Sequence, residues 1–173
     1  SYSREIIKGK DKARMFANSV FNLLVLFLLM TTIFIEIFMP GFVKIIAPGF
    51  SDDKEKMQLA INLTRLTFPF LLFISLASFL SAILNSHNKF AAAAAAPIIL
   101  NVLLILCLIF ANRFGDTLVY YLSYTVSVAG IIQFVFLIFF VKKFYLPNLN
   151  FKIKINDKIK LFFKKLLPSI FAS

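Results

Sequence analysis

Much of what this sequence is can be read from what it lacks. Its 173 residues include no tryptophan, one cysteine (Cys107) and one histidine (His87). A single cysteine cannot build a disulfide framework within the chain, and one Cys with one His cannot supply a metal cluster. No glycine-rich turn follows a strand to cradle a phosphate. Acidic residues number eight, and the adjacent ones, Asp52 and Asp53 with Glu55, are interleaved with Lys54 and Lys56 in a charged loop. No catalytic residue, metal ligand or cofactor site is indicated, and the chain does not read as an enzyme. Charge is scarce as well: 16% of residues are charged against 60% hydrophobic, with a mean hydropathy of +0.87. A water-soluble domain of this size covers itself with charge. The composition therefore makes lipid the solvent.

What is present is length of apolar run. Crossing ~30 Å of hydrocarbon takes about 20 residues at ~1.5 Å each. Four runs qualify, at 15–39, 62–85, 92–111 and 118–141. The first stops at Pro40-Gly41, the third before the polar Asn112–Asp116 stretch, and the fourth at Lys142-Lys143. The third begins somewhere in the alanine run Ala91–Ala96. The expected fold class is an all-α polytopic membrane protein of four full transmembrane helices plus the start of a fifth.

Orientation follows from the basic residues, which are retained on the cytoplasmic side during insertion. Of 19 lysines and arginines, fourteen fall before the first run, at Lys89, or after the fourth run; Lys44, Lys54, Lys56 and Arg113 fall on the other side, and Arg65 opens the second run. Both ends are expected to be cytoplasmic, as an even number of spans requires. The net charge of +11 is thus read as topology rather than as a nucleic-acid surface. The organisation expected is a cytoplasmic segment over 1–14, a four-helix membrane part over 15–141, and a basic cytoplasmic linker over 142–173. In that linker Ile159, Phe162, Phe163, Leu166 and Leu167 recur at helical spacing opposite Lys158, Lys160, Lys164 and Lys165, the pattern of an amphipathic helix on anionic membrane lipids. The chain opens on Ser1 rather than Met, and Pro168-Ser169-Ile170-Phe171 reads as a helix beginning. An internal piece of a larger membrane protein is expected. No signal peptide pattern is visible.

Polar groups set deep in these runs are the candidate functional residues. Asn101 falls near the middle of the third run and Gln133 within about two turns of the middle of the fourth. An amide in hydrocarbon needs a partner, so each is expected to face another helix or a wet cavity, and the two readings weigh equally. Arg65 and Glu36 lie close enough to the outer interface to reach water. His87, in the tight Asn85-Ser86-His87-Asn88-Lys89 loop, reads as a solvated turn residue, and Cys107 as a small hydrophobe. Ser75, Ser78 and Ala82 share one helix face; Ser123, Ser127 and Gly130 share another. Such faces let helices approach closely. Pro69 and Pro97 each remove a backbone donor and are candidate hinges, although Pro97 is also tolerated as a first-turn residue if its helix begins at Ala96.

Particular strings go further. Ala47-Pro48-Gly49-Phe50, Leu63-Thr64-Arg65-Leu66-Thr67-Phe68-Pro69-Phe70, Ala82-Ile83-Leu84-Asn85-Ser86 and Ala96-Pro97-Ile98-Ile99-Leu100-Asn101 resemble, in order and spacing, the MurJ (MviN) lipid II flippases of bacteria. Gly130-Ile131-Ile132-Gln133 and Leu167-Pro168-Ser169-Ile170 extend the resemblance over nearly the whole chain. It implies a fold of fourteen helices in two lobes, of the multidrug and polysaccharide exporter type, around a cavity open alternately to each side. This chain would supply the end of the second helix, the third to sixth, and the start of the seventh. The activity implied is translocation of lipid II (undecaprenyl-pyrophosphoryl disaccharide-pentapeptide) from the inner to the outer leaflet of the cytoplasmic membrane for peptidoglycan synthesis, without hydrolysis. The family's cationic cavity residues lie chiefly in its first, second and eighth helices, of which this chain would hold no more than the end of the second. Arg65, Asn85 and Asn101 match family motif positions, and with Gln133 they are the substrate or cavity candidates. Pro69, Ser75, Ser78, Pro97 and Gly130 are the packing or hinge candidates. Two rival readings remain: another exporter of the same fold, moving O-antigen lipid or a drug, and a four-span membrane anchor or assembly subunit.

Overall fold

A computed structural model describes residue 2 and residues 9–50, 52–110, 113 and 115–149. Among these the chain is helical, with α1 at Lys10–Ile37, a short α2 at Met39–Ile46, α3 at Lys54–Thr67, α4 at Pro69–Ser86, α5 at Phe90–Ile109 and α6 at Leu118–Val141. Four stretches are long and apolar enough to cross a membrane: α1, α3 continuing into α4 as Lys54–Ser86, α5, and α6. The expected basic helix over 158–167 and the start of a fifth span near Pro168 lie outside the described residues.

Helix boundaries depart from the edges of the apolar runs where backbone geometry overrides hydrophobicity. α1 begins at Lys10, because a polar turn can stay helical beyond the hydrocarbon edge. Pro40 does not end a helix but sits in the first turn of α2, where its missing N–H costs no hydrogen bond. The second span starts early, at Lys54, where Asp53 Oδ1 accepts from the backbone N–H groups of Glu55 and Lys56, both at 3.1 Å. Pro69 then divides it into α3 and α4. Pro97, by contrast, is no first-turn residue: α5 starts at Phe90, so the proline lies inside the helix and deprives it of one bond. Between α4 and α5, Asn88 takes the left-handed conformation (φ 59°) and Lys89 N–H closes on Leu84 O at 2.9 Å. Asparagine tolerates that region better than most residues, which makes the tight reversal possible.

α6 is the axis of the bundle, packed along α4, α5 and α3, while α1 packs on α4. The core joins Ala17, Phe21 and Val25 of α1 to Leu72, Leu76, Leu80 and Leu84 of α4 and to Leu137 and Val141 of α6. Phe21 holds the centre, its ring 5.8 Å from Phe79, 6.5 Å from Phe134 and 6.4 Å from Tyr145. A smaller cluster of Met39, Val43 and Ile61 ties α2 to α3. Outside these clusters the surface is greasy: Phe27 is 65% exposed, Ile37 65% and Phe139 61%. Such a surface is stable against lipid chains and not against water.

Candidate functional site

α4 and α6 come close because α6 offers small residues. A side-chain carbon at Gly130 would stand 2.9 Å from the Phe70 ring and 3.2 Å from Phe73 Cβ, so only glycine fits without displacing α4. One turn earlier, the Ser127 hydroxyl donates to the carbonyl of Leu66. That carbonyl lies three residues before Pro69, where the helix is broken, and the hydroxyl from the neighbouring helix answers a carbonyl at the break. Ser123 is buried and donates to Val119 O at 2.9 Å. The stripe of Ser123, Ser127 and Gly130 is therefore packed against protein. Ser75 and Ser78, like Ser123, bond their own helix (Leu71 O at 2.7 Å, Ile74 O at 2.8 Å), but their face is more open, with Ser78 and Ala82 exposed.

The four cavity candidates are not gathered in one place. Gln133 is fully buried on α6, and neither its Nε2 nor its Oε1 has a hydrogen-bond partner among the described residues. Asn101 is exposed on the outer face of α5, and Asn85 is exposed at the end of α4. Arg65 is exposed near the end of α3 and acts electrostatically on Glu36 of α1, whose Oε1 is buried without a hydrogen-bond partner among the described residues. Reading the sequence left those two as separate interface residues; folding sets them near enough to interact electrostatically.

A different concentration of polar groups occupies the end of the bundle where α1 begins and α6 finishes. After α6 the chain turns back across the start of α1. Tyr145 is buried, and its hydroxyl donates to Asn18 Oδ1 at 3.1 Å; the Asn148 N–H donates to the same oxygen at 2.9 Å. Arg14 Nε donates to Phe144 O at 3.2 Å. Burial holds the Tyr145 hydroxyl far above the ordinary tyrosine range, so it stays a donor. His87 is not a free turn residue: its ring stacks on Phe144 at 4.1 Å and its Nε2 lies 3.3 Å from the Tyr2 hydroxyl. Burial, and then the charge of Lys10, lower its pKa. An open cleft of about 600 Å³ is lined here by Arg14, Asn18, Ser19, Lys142, Tyr145 and Asn148, with Met15 and Leu146. A second, of about 230 Å³, shares Arg14 and adds Lys10, Lys143 and His87. On α5 and α6, Cys107 lines an apolar groove of about 310 Å³ with Tyr121, Tyr124 and Thr125. Sequence reading missed Asn18 as an anchor. Its signal was there, since Asn18 and Asn22 stand four apart and share one face of an otherwise apolar helix.

Comparison with known proteins decides the family. The family model described as "Lipid II flippase MurJ" matches residues 1–173, the whole chain. The chain belongs to the MurJ family. It is 43% identical over 143 residues to a probable lipid II flippase MurJ of Rickettsia prowazekii, covering 82% of this chain and 28% of that relative. To the probable lipid II flippase MurJ of Rhizobium tropici it is 44% identical over 137 residues, or 76% of this chain and 26% of the relative. A lipid II flippase MurJ of Burkholderia cenocepacia is 37% identical over 89 residues, 51% of this chain and 17% of its own length. The chain thus spans between 17% and 28% of the length of these MurJ relatives. Those relatives are named as flippases, which are transporters, and the four membrane-length helices fit a MurJ-type membrane part.

Proposed function

We propose that this chain works as part of a lipid II flippase, carrying the lipid-linked peptidoglycan precursor from the inner to the outer leaflet of the bacterial cytoplasmic membrane by alternating access. The match of the MurJ family model over all 173 residues carries this reading. In it, residues 1–14 and 142–173 lie on the cytoplasmic side, where their lysines and arginines meet anionic lipids, and 15–141 form a wall of one lobe. The remaining helices of a full-length chain complete the cavity and supply the cations for the pyrophosphate.

Two features support a wall that moves. Pro69 and Pro97 break the helical ladder within membrane-length helices, giving α3–α4 and α5 defined places to bend. Exposed Asn101, Asn85 and Arg65 are available to the cavity or to the missing helices. Buried Gln133 acts within the packing of this lobe, as Gly130 does.

The test is rescue. A bacterial strain depleted of its essential lipid II flippase should regain growth when the full-length gene carrying this segment is expressed. Failure of rescue, with the protein shown to be in the membrane, would turn the assignment toward another exporter of the same fold.

A further inference from the structure

We propose that the cleft between the start of α1 and the segment following α6 holds the phosphate headgroup of an anionic phospholipid of the inner leaflet. The cleft combines two cations, Arg14 and Lys142, with the side-chain amides of Asn18 and Asn148, and among the described residues no carboxylate lines it. Lys10 and Lys143 stand in the adjoining cleft, which shares Arg14. Arg14 and Lys142 are placed to meet phosphate oxygens directly, and Lys10 and Lys143 next door add positive charge to the same end of the bundle.

Arg14 is held in place rather than merely present. One of its five N–H donors is used on Phe144 O at 3.2 Å, which fixes the guanidinium at the wall of the cleft. The wall itself is fixed by the two bonds that Tyr145 and Asn148 make to Asn18. A lysine pair on a mobile loop would have no such scaffold. Lys142 is placed by other means, its Nζ lying 4.0 Å from the centre of the Phe139 ring.

The rim argues for a lipid over a soluble phosphate. Met15, Phe139 and Leu146 are 64%, 61% and 66% exposed around these cations, so apolar side chains surround the charged centre at the level where α1 and α6 leave the apolar part of the bundle. A headgroup with acyl chains satisfies both parts at once, and inorganic phosphate satisfies one. The inference rests on the proposed orientation, with this end toward the cytoplasm, but not on which molecule is flipped.

Binding of phosphatidylglycerol to the purified full-length protein, counted by mass spectrometry of the intact complex, tests it, with phosphatidylcholine and inorganic phosphate as the other probes. Arg14→Gln with Lys142→Gln should weaken phosphatidylglycerol binding about tenfold or more and leave phosphatidylcholine unchanged. Lys142→Gln alone keeps the Arg14–Phe144 bond, so a partial loss there separates lost charge from a lost fold. Lys56→Gln, at the far end of the molecule, should change nothing. Equal phosphatidylglycerol binding by wild type and double variant would overturn the proposal, as would millimolar inorganic phosphate displacing the lipid. Because the readout is binding, it stands or falls independently of rescue by the gene.

Discussion

Helices α5 and α6 pack side by side, each with one amide set deep in an apolar run, and the fold treats the two amides in opposite ways. Gln133 of α6 is buried with neither polar atom partnered among the described residues, whereas Asn101 of α5 is exposed. The difference comes from what surrounds them. α6 carries Ser123, Ser127, Ala129 and Gly130 toward its neighbours and buries six residues, while on α5 only Ala96 is buried among the described residues. A helix faced with small residues becomes a hub; one broken by Pro97 and faced with Ile, Leu and Val keeps most of its surface for something else. Polar residues of one chemistry can therefore serve packing on one helix and an external partner on the next.

Breaking the hub should give the largest effect. Gly130→Leu drives a side chain into Phe70 and Phe73, at a site with no free volume, and is expected to cost about 3 kcal/mol while prying α4 from α6. The thermal midpoint of the full-length protein in detergent should fall by several degrees. An unchanged midpoint would mean the α4–α6 contact is looser than the 2.9 Å approach implies.

Gln133→Leu should move the same measurement the other way. A buried amide without partners costs about 1–3 kcal/mol, and leucine of comparable size removes that cost. The midpoint should rise; a fall would show that the amide is hydrogen-bonded in solution. If the rise is accompanied by slower flipping, Gln133 earns its place in a second packing of the helices, where its amide finds a partner.

The contrast also shows how far the residues themselves could be read. Four membrane-length helices were legible, because hydrocarbon thickness sets their length and no periodicity has to be interpreted. The sequence marks two small-residue stripes alike, yet Ser123, Ser127 and Gly130 face protein while Ser78 and Ala82 are exposed, since small residues permit contact without requiring it. The burial of Gln133 against the exposure of Asn101 was not legible. Depth along a span follows from counting, but direction depends on which neighbour each face meets. The Asn18 anchor and the His87–Phe144 stack join residues more than fifty positions apart, and local pattern carries no trace of such pairing.

Asn101 sharpens the other half of the comparison. If its outward amide meets a partner in the full-length protein, Asn101→Leu loses about 1 kcal/mol of interhelical hydrogen bonding, whereas Cys107→Leu on the same helix has little to lose. Complementation of the depleted strain should be weaker for Asn101→Leu. Equal growth of the two variants would reduce Asn101 to a packing residue.

The smallest expected effect lies at the basic end, at His87. Its ring is half-buried against Phe144 and Tyr2, and the cations in its cleft are Lys10, Arg14 and Lys143. Desolvation by burial, with Lys10 adding to it, lowers its pKa below the ordinary value of about 6.5. The folded ring therefore binds a proton less readily than the unfolded one. Its contribution to stability is complete above about pH 6.5 and is lost as pH falls through the lowered folded value, because the unfolded chain takes up the proton first. Moving from pH 7.5 to 5.5 should lower the thermal midpoint of the wild type more than that of His87→Phe, which keeps the stack on Phe144 and has no proton to gain. The ring remains partly open to solvent, so the difference should be well below the Gly130→Leu effect. Identical pH slopes in the two proteins would mean that the ring reaches water when protonated, and that the turn between α4 and α5 is free of the segment after α6.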